Sequence, residues 1–131
     1  MTDLAKRAVA CRHWRWMPGM ALVRRKHGPA GGAGLRPTHL RVALTGGHPC
    51  DPFACIADVD RLPRPVPNDP HWVPDLTDPA TLGCLLALVR EALGIPYLCT
   101  SVSPEGRWWV DGYSLHDTEA EALVAALEAA P

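Results

Sequence analysis

Seven of the chain's fourteen prolines fall between residues 46 and 76, at positions 49, 52, 63, 65, 67, 70 and 74. Each fixes φ and removes a backbone donor, so this stretch can be neither a long helix nor a central strand. Within it, the short apolar run Phe53–Val59 suits an edge pairing or one helical turn. Arg61–Pro67 (RLPRPVP) reads as extended and polyproline-like. Trp72 and Val73 are expected to pin the end of the segment onto the core. Regular structure is thereby pushed to the two flanks. A chain of 131 residues is long enough for one real core, so the expectation is a single α+β domain, 1–131, with a proline-rich irregular segment at about 46–76.

The C-terminal flank carries the clearest signals. Asp78 suits a helix cap, Pro79 the first helical position, and Gly94 the residue after the last turn. Between them Leu82, Leu85, Leu86, Val89 and Leu93 form one apolar stripe at helical spacing. Tyr97–Val102 and Arg107–Tyr113 are rich in β-branched and aromatic residues, and Ser103-Pro104-Glu105-Gly106 between them is hairpin chemistry. Thr118 with Glu121 makes a capping box and opens a last helix with Ala120, Leu123, Val124 and Leu127 on one face. From about Asp78 to Ala130 the order is therefore helix, hairpin, helix. Neither stripe can be buried alone, so the fold class expected is α+β, a small sandwich of helices packed on an antiparallel sheet.

The N-terminal flank is less regular. Residues 2–12 read as a short helix capped by Thr2, with Leu4, Ala8 and Cys11 on one face. Alternation through 13–16 places Trp14 and Trp16 on one side, and Pro18-Gly19 is a turn. Ala21–Arg25 and His39–Thr45 suit short strands, joined through the glycine-rich 26–34 (KHGPAGGAG). That loop lacks the lysine and hydroxyl of a phosphate-binding loop.

The net charge of −1 hides a division. Residues 1–41 hold nine Lys/Arg against Asp3 alone, and 42–131 hold four against thirteen Asp/Glu. The plainer expectation is that the halves fold together and their fields cancel; the sharper one is that the basic half meets an anionic partner. No stretch approaches the roughly 20 apolar residues of a membrane span, and the N-terminus has no apolar secretory core. The expected location is the cytoplasm, away from membranes. The odd count of five cysteines then suits reduced thiols. Cys50 and Cys55 are spaced at the wide edge of a zinc pair and have no clean second pair, so no metal or other cofactor is expected. Cys84 and Cys99 read as core thiols.

Three blocks, WRWMPGM (14–20), PDLTDPATLGCLLALVREA (74–92) and TEAEALVAALEAAP (118–131), resemble those of small uncharacterised phage and prophage proteins. The layout looks like the phage ABA sandwich type. The resemblance covers about half the chain and implies phage origin and a small α/β sandwich. It brings no activity and no catalytic residues.

Ten residues stand out as candidates for binding. Trp14, Trp16, Trp108 and Trp109 can stack on bases while Arg12, Arg15 and Arg107 hold phosphates, a combination suited to single strands. The plainer alternative is that most of these rings fill the core. Trp108 and Trp109 must point to opposite faces of a strand, and a face left uncovered would expose one ring. Arg24, Arg25 and Lys26 can grip phosphates or pair with the acidic half. No positioned nucleophile is visible, and Asp58/Asp60 and Asp75/Asp78 have spacings common in loops and caps, so catalysis is not expected. The leading expectation is a phage-derived non-enzymatic protein that binds a host or phage protein, in its sharpest form an inhibitor of a host defence system such as a CRISPR effector. The alternatives are a nucleic-acid-binding module using the basic N-terminal region and tryptophans, and a virion structural or assembly protein.

Overall fold

Proline sets the edges of the larger sheet. A computed structural model describes residues 2–25, 35–43, 55–57, 64–65 and 72–131. Five strands, β1 (Ala21–Arg25), β2 (Leu35–Ala43), β3 (Cys55–Ala57), β4 (Arg64–Pro65) and β5 (Trp72–Pro74), form one sheet in the order β4-β3-β2-β1-β5. Every pairing in it is antiparallel. Pro65 and Pro74 lie on the two outermost strands, where a missing donor costs no ladder bond on the outer side. The proline-free run expected at an edge supplies β3 instead, one place in from it. Pro37 sits in β2 opposite Val23. Pairing of β2 with β3 covers only Arg41–Ala43, so Pro37 has a strand on one side only among the described residues.

The strand expected at His39–Thr45 begins earlier, at Leu35, and ends at Ala43. The first helix, α1 (Thr2–Ala10), stops two residues short of the expected end. Residues 13–18 are not a strand, so the alternation argument for Trp14 and Trp16 does not apply, although the two rings do meet edge-on at 5.5 Å. Gly19 turns the chain with φ +96°.

Helix α2 (Pro79–Leu93) has the expected ends. Asp78 accepts from the Thr81 amide at 2.9 Å. At the other end Gly94 adopts φ +67°, its amide donating to the Glu91 carbonyl and that of Ile95 to the Arg90 carbonyl. This is the Schellman arrangement, which a left-handed glycine permits. The buried face is turned from the expected stripe. Thr81, Leu85, Leu88 and Val89 are buried, while Leu82, Leu86 and Leu93 lie half-buried on the flank.

The hairpin is shorter than its β-rich sequence suggests: β6 (Thr100–Val102) pairs with β7 (Trp108–Val110). Helix α3 (Glu119–Ala129) carries the expected capping box, Thr118 with Glu121, with both reciprocal bonds present. Its Ala120, Leu123, Val124 and Leu127 are buried as expected, joined by Ala122 and Ala126. Small residues on so much of the surface let α1, α2 and the hairpin approach α3 closely. The resulting α+β core also takes in Leu22, Val42 and Val73 from the larger sheet and Met20 just before it. Each large side chain so buried contributes roughly 1.5–3 kcal/mol.

One polar knot joins the larger sheet to the start of α2 at the margin of this core. Thr81 is fully buried. Its hydroxyl accepts from the Ala21 amide at 2.9 Å and donates to Asp78 Oδ2 at 3.0 Å. Arg41, on β2, donates to both Asp78 oxygens at 2.7 and 3.0 Å and to the Gly19 carbonyl at 2.9 Å. The Arg41 hydrogen bonds, helped by those from Thr81 and opposed by burial, lower the Asp78 carboxyl to about 2.

Thr81→Val would keep the shape but orphan the Ala21 amide, and should cost about 1–3 kcal/mol in denaturant unfolding; Thr81→Ser, which keeps both bonds, should cost clearly less. Because the folded carboxyl is depressed, its contribution is complete above the unfolded value near pH ~4 and is lost as pH falls through about 2. The stability gap between wild type and Asp78→Asn should therefore be widest above pH ~4 and close on acidification through that window.

Candidate binding cleft

The turn after α1 carries the chain across the C-terminal half of α2. Arg12, His13, Trp14 and Arg15 there face Leu88, Glu91 and Ala92 across an open cleft of about 460 Å³. Leu88 is buried and Ala92 half-buried, so with the Trp14 ring they make an apolar floor. The rim is charged. Arg15 donates to Glu91 at 2.6 Å, which holds the Glu91 carboxyl below its ordinary range. Arg12 donates to the Ala130 carbonyl at 3.3 Å and to His13 Nε2 at 3.2 Å. The indole Nε1 of Trp14 is buried with no hydrogen-bond partner. Its edge-on contact with Trp16 is the arrangement in which an indole N–H can meet a π face.

The ten sequence-derived residues do not form one surface. Arg12, Trp14 and Arg15 share this cleft, with the Trp16 ring edge-on to that of Trp14. Arg107 lines a separate cleft of about 450 Å³ beside the first turns of α1 and α3, with Arg7, His116, Asp117 and Glu121 among its walls. It sits 3.5 Å from Asp117 and donates to the Leu115 carbonyl at 3.1 Å. Trp108 packs against the core, and Trp109 is half-buried. The uncovered Trp that opposite faces could have left is therefore absent from this strand. Arg24 lies over the Trp72 ring at 5.9 Å. The side chain of Arg25 and all of Lys26 lie outside the described residues, as do Cys50 and the side chain of Cys55.

Basic residues of the N-terminal part repeatedly meet acidic ones of the C-terminal part. Arg7 pairs with Glu128 at 2.6 Å, Arg15 with Glu91 at 2.6 Å and Arg41 with Asp78 at 2.7 Å. The Arg7 hydrogen bond holds the Glu128 carboxyl below its ordinary range. This is the plainer of the two expectations for the charge division.

The sequence reading missed His13, Leu88, Glu91 and Ala92 because a cleft between a turn and a helix has no linear spacing. It also missed Tyr97, the most exposed aromatic among the described residues at 89%. The available signal was the run from Ile95 to Ser103, which has no charged residue. Cys99, expected in the core, is exposed, since β6 begins one residue later. Cys84 is half-buried, and burial raises its thiol.

Among the described residues no three His, Cys, Asp or Glu side chains cluster as metal ligands, and no helix is long and apolar enough to cross a membrane. Comparison with known protein families, with curated proteins and with solved structures finds no match.

Thiolate access separates the described cysteines. Limited alkylation of the folded protein at mildly alkaline pH, read by peptide mass spectrometry, should modify Cys99 well before Cys11 and Cys84. Equal rates at the three sites would contradict the placement of Cys99.

Proposed function

We propose that this chain is a non-enzymatic binding protein that recognises another protein through the Arg12–Arg15 cleft. The observation that carries this reading is the composition of the cleft: a Trp14, Leu88 and Ala92 floor inside a rim of Arg12, Arg15 and Glu91. An apolar centre ringed by charge, with Trp and Arg present, is the anatomy of an interaction hot spot. The occupant that fits is a partner's apolar side chain next to a carboxylate. The side chain covers the floor, and the carboxylate takes the place of Glu91 on Arg15.

Nucleic-acid binding is less well supported. It needs cations free to replace counterions along a phosphate chain. Arg15 and Arg107 already face carboxylates, Arg12 faces a helix-terminal carbonyl, and Arg24 lies over a ring. A steeply salt-dependent oligonucleotide shift would restore that alternative.

The sharper form of the proposal is a phage-derived protein that inhibits a host defence system such as a CRISPR effector. Its support is the resemblance of the blocks at 14–20, 74–92 and 118–131 to small phage proteins. Expression in a bacterium with an active effector should raise the plating of targeted phage, and the effector should co-purify in fixed stoichiometry. The double variant Arg12→Ala/Arg15→Glu should weaken that complex by about tenfold or more, as loss of a hot spot does. No complex, or a complex indifferent to the double variant, would contradict the proposal.

A further inference from the structure

The small hairpin sheet is closed on one edge and open on the other. On the closed side Trp108 and His116 exchange backbone hydrogen bonds, both at 2.7 Å, so β7 has neighbours on each side. On the open side β6 has no partner strand among the described residues. The turn settles which groups face outward. The Ser103 amide donates to the Arg107 carbonyl at 2.7 Å and the Gly106 amide to the Ser103 carbonyl at 2.9 Å, with Gly106 at φ +78°. Alternation along an antiparallel ladder then turns Ser101 toward Trp109 and leaves the amides and carbonyls of Thr100 and Val102 pointing away from β7.

Natural edge strands are usually blocked by a lysine, an inward charge, a proline or a bulge. None of these lies between Tyr97 and Ser103, where the sequence is YLCTSVS. The surroundings are apolar as well as open. Val102 is 52% exposed, Ile95 47% and Tyr97 89%. The side chain of Thr100 is held back by its hydrogen bond to Glu119 Oε1 at 2.6 Å, so it does not obstruct the edge.

We propose that the β6 edge is a self-association surface on which a second copy of this chain pairs antiparallel, β6 to β6. A two-fold axis at Ser101 sets Thr100 opposite the partner's Val102, and Val102 opposite the partner's Thr100. Both residues present outward donors and acceptors, so this register makes four backbone hydrogen bonds and leaves no outward group of β6 unpaired. The two small sheets become one of four strands. A strand without charge meets its own copy without repulsion, whereas it offers an unrelated chain nothing charged to select. A three-residue edge buries far less than the roughly 1,000 Å² of a stable interface. The exposed Val102 side chain adds to the contact, and the pairing is expected to be a reversible equilibrium. The surface is separate from the Arg12–Arg15 cleft and does not depend on its function.

Sedimentation velocity across the micromolar to millimolar range tests this. Wild type should pass from monomer toward dimer with concentration. Amide exchange at Thr100 and Val102 should slow as it does, while Ser101 is unaffected. Val102→Pro removes one outward donor per copy and leaves the β6–β7 ladder intact, so self-association should weaken by about tenfold or more. Val102→Asp, at a half-exposed side chain within the strand, sets two carboxylates on diagonal positions across the two-fold axis and should weaken it too; it decides alone if circular dichroism shows Val102→Pro to be unfolded. Arg15→Glu should leave the equilibrium unchanged. A wild-type monomer at every concentration would overturn the proposal, as would a dimer unaffected by Val102→Asp and by a folded Val102→Pro.

Discussion

Asp78 holds the start of α2 to the larger sheet. As the cap of α2 it satisfies the Thr81 amide, and as an ion-pair acceptor it binds Arg41 on the larger sheet through both oxygens. Thr81, directly beneath it, returns the connection to the sheet through the Ala21 amide. The neighbouring Asp75 amide also bonds to the Ala21 carbonyl. The start of α2, the start of β1 and the end of β2 thus share one hydrogen-bonded knot. A buried hydroxyl in an apolar core is costly unless both its roles are filled. Here they are, so the knot acts as a specificity device as well as a stabilising one. A shift of α2 by one residue would orphan the Ala21 amide and take Asp78 away from Arg41.

The same knot explains what the charge division of the sequence is for. Arg41, Arg7 and Arg15 come from the basic part, and Asp78, Glu128 and Glu91 from the acidic part. Each pair ties an N-terminal element to a C-terminal helix. The pairs of Arg7 and Arg15 are exposed and individually weak. Their common direction still favours one docking of the halves over others. Of the basic flank that looks like a nucleic-acid footprint in one dimension, Arg7, Arg15 and Arg41 meet carboxylates of the acidic part in three.

The sequence was most legible where local chemistry acts alone. The ends of α2 and α3 and the turn at Ser103–Gly106 follow from capping and turn residues within a few positions of each other, and all are where the sequence puts them. Legibility fell where long-range pairing decides. The proline-rich 46–76 reads as irregular, yet 55–57 and 64–65 enter the sheet, because a strand of two or three residues needs only a neighbour and no periodicity. The α2 stripe was right in Leu85 and Val89 but turned toward Leu82 and Leu86, because Thr81 and Leu88 are recognised as core only once the rest of the fold is in position. Of the candidate site, the Arg12, Trp14 and Arg15 component was visible as an aromatic-basic cluster. Its floor from α2 was not. The open edge of β6 was hidden for the opposite reason: strand propensity describes what a segment can pair with and says nothing of which side is left empty.

The surfaces that follow from this arrangement are small and distinct, a charged-rim cleft beside α2 and an unguarded strand edge on the hairpin. Both rest on α2 and α3 being fixed against the sheet, so the coupling across the Asp78 knot is the quantity on which the account stands. A double-mutant cycle of Arg41→Gln and Asp78→Asn, measured by denaturant unfolding at neutral pH, reads that coupling directly. A value above about 1 kcal/mol is expected, beyond the range of ordinary exposed pairs. A value indistinguishable from zero would contradict the role assigned to the knot.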